Sequence, residues 1–344
     1  MADWKKVLLF SVVGCVSVVV LLVVAGAAAL LWATSVADDL GEPTLEPATL
    51  GVAIAPEATA GMSTGAVLTD LGSRLEIELQ DGQFDIVAGP RGSNVLVEGT
   101  YAANYYELVA EHEGTDADGG PVTAVRLRPT NGSLVRMMGS LRGNRQWEAM
   151  NRLTVSIPAD RPIALALHVS LGQSRIDLGG LALTELDAEL RMGNHQLGFG
   201  TSLVTQPRQV RLSGEMGNIE LRELGNARAG ELHASSRMGD FTVDLSGAWR
   251  LDEVTDVTLS HSMGDLRLRI PTSVRISTDS HTSSRFGESS EIDRRGETGD
   301  ANVPVVRLNA STTMGATRIS RIEIAAPDER AEQVRGPAIP APAH

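Results

Sequence analysis

The feature that most constrains this chain is a glycine that returns at intervals of 21, 24, 22, 25, 23 and 28 residues. Each glycine lies in a short segment such as SRMGDFTVDL, residues 236–245, where a large apolar residue precedes it and apolar and polar residues alternate after it. A recurrence every 20–50 or so residues is typical of solenoids and stacked arrays. The seven glycines are Gly172, Gly193, Gly217, Gly239, Gly264, Gly287 and Gly315.

Each position of the repeat has a structural interpretation. We expect the glycine to form a corner between two strands, where a positive φ or a close backbone approach excludes a side chain. Residues after the corner are predicted to alternate between core and solvent. The sequence therefore predicts an all-β, β-solenoid-like stack in which neighbouring units complete one another's core. The residues before the glycines are predicted to form one buried ladder: Leu171, Met192, Met216, Met238, Met263, Phe286 and Met314.

The β-repeat domain is predicted to span residues 70–325. Alternation begins at Arg74 and continues on both sides of Asp81-Gly82, as expected for two strands around a turn. It is interrupted near residues 131–151, where we expect an insertion. Residues 33–69 show no sustained period and are predicted to form a stalk or linker, and residues 326–344 a disordered tail.

An uncharged apolar run, residues 7–32, predicts one N-terminal transmembrane helix. At ~1.5 Å per residue it exceeds a ~30 Å hydrocarbon core. Trp4 and Trp32 are placed at the two membrane interfaces. Because Lys5 and Lys6 precede the run and acidic residues follow it, we expect residues 1–6 in the cytoplasm and the β domain outside the cell membrane.

Two other interpretations of this run fit it less well. A cleavable signal peptide has a shorter apolar region, of about 7–15 residues. Lipidation at Cys15, the single cysteine, would leave a long apolar peptide behind the modified residue. Cys15 is therefore interpreted as a small apolar residue within the membrane.

The composition and motifs argue against several functions. A net charge of −13 disfavours nucleic acid as a partner. Only Asp240 and Asp265 place an aspartate after a repeat glycine, which is too sparse for a calcium-binding β-roll. The histidines do not form one column of the repeat, since only His233 and His281 share a position and their units are not adjacent in sequence. Motifs for zinc, nucleotides or a nucleophilic serine are absent. We therefore expect no catalytic residue, no metal site, no cofactor and no small-molecule substrate.

The segment LTVSIPADRPIALALHVSLGQSRIDLGGLALTELDAELRMGNHQL, residues 153–197, leads from a strand into repeated short strands around glycine. It resembles the bacterial toastrack domains, which include an adhesin type and the C-terminal domain of LiaF-like envelope proteins. The resemblance covers about residues 70–325. It implies a stack of short strands, often attached to a transmembrane helix and associated with envelope stress or surface interactions.

Three functional hypotheses remain open. The first is a non-enzymatic, single-pass envelope protein whose β stack presents a surface for protein interaction or adhesion, with an envelope protein or a second copy as partner. The alternative is a regulatory subunit of an envelope-stress pathway that acts through its transmembrane helix. The third, an enzyme that acts on envelope polysaccharide, predicts carboxylates converging in a cleft.

Overall fold

The computed structural model describes residues 44–54, 73–115, 120–130, 151–288 and 303–323. Regular structure in these ranges is β throughout, apart from a 3-10 helix at Leu224–Ala227, which confirms the all-β prediction. The predicted transmembrane helix with Trp4, Lys5, Lys6 and Trp32, most of the insertion, and the tail 326–344 lie outside the described residues. Within the described ranges, no helix is long and apolar enough to cross a membrane.

The strands build two walls of one stack. Most are short, but β8, β9 and β10 cross the corner and belong to both walls. In chain order the strands are β1 Leu45–Val52, β2 Ser73–Leu79, β3 Gly82–Gly89, β4 Val95–Ala102, β5 Tyr106–Thr115, β6 Pro121–Pro129, β7 Arg152–Pro158, β8 Ile163–Asp177, β9 Leu183–Gly198, β10 Gln209–Arg222, β11 Glu231–Met238, β12 Phe241–Asp244, β13 Thr255–Met263, β14 Leu266–Pro271, β15 Arg275–Ile276, β16 His281–Phe286, β17 Val305–Met314 and β18 Thr317–Ile322.

The first wall runs in spatial order through β5, β6, β2, the first parts of β8, β9 and β10, then β11, β13, β17 and β16. The second runs through β1, β4, β7, β3, the later parts of β8, β9 and β10, then β12, β14 and β18. Pairing is parallel except for β5·β6, β1·β4 and β4·β7. The repeat units therefore stack in register.

Both walls bury alternate side chains in one common core. Leu190 and Leu212 enter it from the first wall, and Leu197, Leu221 and Val243 enter it from the second, each at most 4% exposed. At the ~4.8 Å spacing of neighbouring strands, each such side chain packs against its equivalents in the layers on either side. One repeat alone would leave this apolar surface in water, and stacking removes it.

Strand β1 lies inside the segment that was predicted to be a stalk. Its residues 45–52 pair antiparallel with β4 along their whole length, so they belong to the β domain. The sequence shows no alternation here because β1 is an edge strand that contains Pro47 and Gly51 and buries only Ala48 and Val52.

The turn predicted at Asp81-Gly82 is another corner of the stack. Strand β2 pairs with the first part of β8, and β3 with its later part, so the two strands enter different walls. Gly82 is paired with Gly172 and is an eighth corner glycine, outside the seven-member repeat. Asn151 supports this corner, because its side-chain amide donates to the Asp81 carbonyl oxygen at 2.7 Å and accepts from the Ala102 amide at 3.0 Å.

The last two repeat units are stacked in reversed order. Strand β17 lies between β13 and β16, so the unit that contains Gly315 is inserted before the unit that contains Gly287. An inner layer must supply apolar side chains to neighbours on both sides. The later unit does so with Val306, Leu308 and Ala310, whereas the sequence around Gly287, RFGESSEID, has no apolar alternation after the glycine.

Candidate functional site

The corner glycines lie in one line along the stack. At Gly193, with φ of 141°, a Cβ atom would lie 1.8 Å from the carbonyl oxygen of Gly172. At Gly217, with φ of 122°, it would lie 1.9 Å from the carbonyl oxygen of Gly193. The same contact with the preceding layer, at 1.8–2.0 Å, recurs at Gly172, Gly239, Gly264, Gly315 and Gly287. Each layer therefore occupies the space that a side chain would need in the next.

The prediction that the residues before these glycines form a buried ladder is wrong in one respect. They do form a continuous ladder, but it faces solvent: the exposed fractions are 43% for Met192, 48% for Met216, 38% for Met238, 45% for Met314 and 67% for Phe286. Leu171 and Met263 are half-buried. We call this ladder the methionine edge. In spatial order it consists of Leu171, Met192, Met216, Met238, Met263, Met314 and Phe286.

The edge faces outward because the corner shifts the alternation. In β9 the core positions are Leu190, three residues before the glycine, and His195, two residues after it. These two inward positions are five places apart in sequence, an odd number, so strict alternation cannot hold across the corner. Arg191 and Met192 both point outward there, much as at a β-bulge.

Polar residues line the inner side of the same corner. His195 and His261 are each 2% exposed. The Nδ1 of His195 lies 2.9 Å from the Ser174 hydroxyl, and the Nδ1 of His261 lies 3.2 Å from the Ser236 carbonyl oxygen. Among the described residues, neither Nε2 has a hydrogen-bond partner. Alternation in the sequence gave no signal for these polar positions.

Burial sets the protonation of both imidazoles. It lowers the pKa of His195 to about 4, against a smaller raising effect of the Met192 backbone. Burial also lowers the pKa of His261, while the backbone of Ser236 and of Gly239 and the carboxylates of Asp240 and Asp265 oppose it. Both histidines are therefore neutral near pH 7. In the part of the chain that the structure describes, no three potential metal ligands cluster.

Two polar columns flank the methionine edge. The first-wall column precedes it by one residue and consists of Ser170, Arg191, Glu215, Arg237, Ser262, Thr313 and Arg285. The second-wall column follows the glycines and consists of Gln173, Asn194, Asn218, Asp240, Asp265, Ala316 and Glu288. Within this second column the Asn218 amide donates to the Asn194 side-chain oxygen at 3.0 Å. Hydrogen bonding from Arg318 lowers the pKa of Asp265, and Arg267 donates to Asp240 at 2.9 Å.

A polar groove of about 500 Å³ lies on the outer face of the second wall. Its side chains pair with one another: Arg152 Nε donates to Gln83 Oε1 at 3.2 Å, and Gln196 Nε2 donates to Glu220 Oε2 at 3.2 Å. The two acids that line it, Asp85 and Glu220, share one register position three strands apart, so their backbones lie about 14 Å apart. Paired glycosidase carboxylates are only about 5–9.5 Å apart, so this pair does not have that geometry.

Comparisons with known proteins give no family. No family model and no curated protein matches the chain. Among solved structures, a "putative cell adhesion protein" from Clostridium sporogenes is 13% identical and covers 82% of this chain and 100% of its own, with a TM-score of 0.35. A "putative adhesin" from Bacteroides fragilis is 9% identical and covers 82% and 98%, with a TM-score of 0.29. These TM-scores are too low to support an argument about this chain. Its fold is therefore described from its own strand pairings.

Proposed function

We propose that this chain is a non-enzymatic, membrane-anchored protein of the cell envelope that presents the methionine edge to a protein partner. The observation that carries the proposal is the unbroken line of seven large apolar side chains, five of them at least 38% exposed. The line crosses six strand spacings, about 29 Å. Contiguous exposed apolar surface of this kind is typical of interaction sites, whereas scattered single residues are not.

Methionine suits such a surface. Its unbranched, polarisable side chain adapts to partners of different shape. The corner supplies the opposite property, because the glycine contacts fix the backbone of each layer against the next. The edge therefore combines a rigid backbone line with adaptable side chains, while charged columns on both sides form the polar rim that protein interfaces have.

The membrane anchor and the location belong to the proposal and derive from the sequence. The uncharged run 7–32 supports a single span. The lysines before it and the acidic residues after it support a cytoplasmic N-terminus and a β domain outside the membrane. The resemblance to toastrack domains agrees with this arrangement.

Site-specific photo-cross-linking in intact cells tests the proposed interaction. We expect the full chain with a benzophenone amino acid at Met216 or Met238 to form a discrete cross-linked complex. The matched controls carry the same group at Val204 or Leu251, which are 58% and 67% exposed but lie outside the edge. Equal cross-linking at edge and control positions would contradict the proposal, because nonspecific apolar contact does not distinguish them.

A further inference from the structure

We propose that the partner on the methionine edge is a second copy of this chain, with the two edges side by side and parallel about a two-fold axis that runs along the ladder. The inference rests on the proposed function, since it uses the same edge, and it adds the identity and orientation of the partner. Homodimers with two-fold symmetry are the commonest oligomers of soluble proteins.

The spacing of the edge favours another copy. Its apolar side chains recur once per strand, every ~4.8 Å. A second edge has the same repeat and can match it layer by layer. In the parallel arrangement all seven apolar residues meet their own equivalents. An antiparallel arrangement over the same seven layers would instead place unlike residues opposite each other, such as Leu171 and Phe286.

The charges beside the edge select the parallel arrangement. The first-wall column carries three arginines and one glutamate, a net charge of +2, from Arg191, Arg237, Arg285 and Glu215. The second-wall column carries three acids, Asp240, Asp265 and Glu288. Arg267 pairs with Asp240 and Arg318 pairs with Asp265 within the chain, so with these two arginines the flank keeps a net charge of −1. An axis along the ladder sets each column against the oppositely charged column of the second copy. A two-fold axis across the ladder would place each column opposite the same column of the second copy. Repulsion between like charges disfavours that arrangement.

Two layers show this complementarity directly. In the parallel dimer Arg285 lies opposite Glu288 of the second copy, and Arg237 lies opposite Asp240, which it would share with Arg267 at 2.9 Å in that copy's own chain. The charged Arg191 and Glu215 meet the neutral Asn194 and Asn218 in their layers. Arg237 is free to reorient, because its contact with Glu215 is a 3.6 Å ion pair of a largely exposed side chain.

The size of the patch predicts a reversible dimer. A strip about 29 Å long and about 10 Å wide covers about 300 Å² of each copy. Standard stable interfaces bury about 800 Å² per partner. Tethering raises the effective concentration of such weak partners. The parallel arrangement keeps the β1 ends of both copies at the same end of the dimer, so two chains anchored in one membrane can form it.

Disulfide trapping tests the register. In full-length protein with Cys15→Ser, we expect the single variants Met192→Cys, Met216→Cys and Met263→Cys each to form a disulfide-linked homodimer on mild oxidation of intact cells. A mixture of differently tagged M216C and M263C chains should give only the two homodimers, because those positions lie two layers, about 10 Å, apart, and a disulfide needs Cα atoms within about 7 Å.

Charge reversal supplies the second readout. Arg237→Asp should lower the cross-linked fraction of the M216C chain about threefold, since it sets like charges opposite each other, and adding Asp240→Arg should restore it. Mixed dimers of M216C and M263C without homodimers would overturn the parallel orientation. The single variants Val204→Cys and Leu251→Cys, placed on exposed apolar residues outside the edge, set the level of random collision.

The outcomes separate this inference from the proposed function. If edge cysteines dimerise no more than the two controls while the photo-cross-linker at Met216 captures a different protein, the edge is an interaction site and its partner is not a second copy. If neither probe captures anything above its controls, both proposals fail.

Discussion

Gly217→Ala is expected to destabilise the protein by at least about 4 kcal/mol, enough to leave much of the chain unfolded. The new Cβ would lie 1.9 Å from the Gly193 carbonyl oxygen, and the φ of 122° is unfavourable for any side chain. Neither problem can be relieved without separating two layers of the stack. Urea unfolding followed by circular dichroism, on the full chain in mild detergent, measures the change.

Two control substitutions separate the clash from the backbone strain. Gly92→Ala places a Cβ in open space at a φ of 70°, so it should cost only about 1 kcal/mol. Gly51→Ala also has open space, without a positive φ, and should change the free energy of unfolding little. If Gly217→Ala costs no more than Gly92→Ala, the glycine line does not hold the layers in register.

Acid is expected to destabilise the folded protein through His195, by about 3 kcal/mol between pH 6.5 and pH 4. Burial lowers the pKa of this imidazole from 6.5 to about 4 in the folded protein, so protons bind preferentially to the unfolded chain. The stabilisation is complete above pH 6.5 and is lost as the pH falls towards 4. The free energy of unfolding, measured at several pH values in this window, tests the effect.

His195→Gln isolates this contribution from other titrating groups. Glutamine keeps a polar group near the Ser174 hydroxyl but does not titrate, so the variant should lose less stability on acidification than the parent. The control His281→Gln makes the same substitution at an exposed histidine and measures the effect of removing a histidine from the surface. Identical pH dependence of His195→Gln and the parent would show that the buried imidazole does not resist protonation.

Much of the stack could be predicted because the glycine period reports a backbone constraint. A layer that approaches its neighbour within 2 Å of a Cβ position tolerates no other residue, and this requirement recurs at Gly193, Gly217 and every other repeat corner. The alternation after each glycine likewise reflects burial, as at Leu221 and Val243. Both signals are local, so a single sequence displays them.

The outward direction of the methionines could not be predicted from alternation alone. In β10, Leu212, Gly214 and Met216 share one phase, which suggests that all three are buried, yet Met216 is 48% exposed. The available signal is the change of phase across the corner, because Gly214 and Ile219 both face inward although they are five positions apart, an odd number. One residue between them must therefore leave the pattern.

The spatial order of the layers also could not be predicted from local sequence patterns. Nothing in the spacing of Gly264, Gly287 and Gly315 indicates that the last unit is inserted before the one that precedes it in sequence. The two units differ in how much apolar surface they bury. Strand β16 contributes little to the core, whereas β17 buries Val306, Leu308 and Ala310 between two neighbouring strands. The unit with more apolar side chains therefore takes the inner position, where it is covered by a layer on each side.

The most direct test of the outward-facing ladder is methionine oxidation by hydrogen peroxide, mapped by peptide mass spectrometry on dilute full-length protein. Because oxidation follows exposure, Met192, Met216, Met238 and Met314 should oxidise within about threefold of their rates in urea-unfolded protein, and the half-buried Met263 more slowly. Strong protection of all five in the folded, dilute protein would mean that the ladder faces the core, and would contradict the interaction edge.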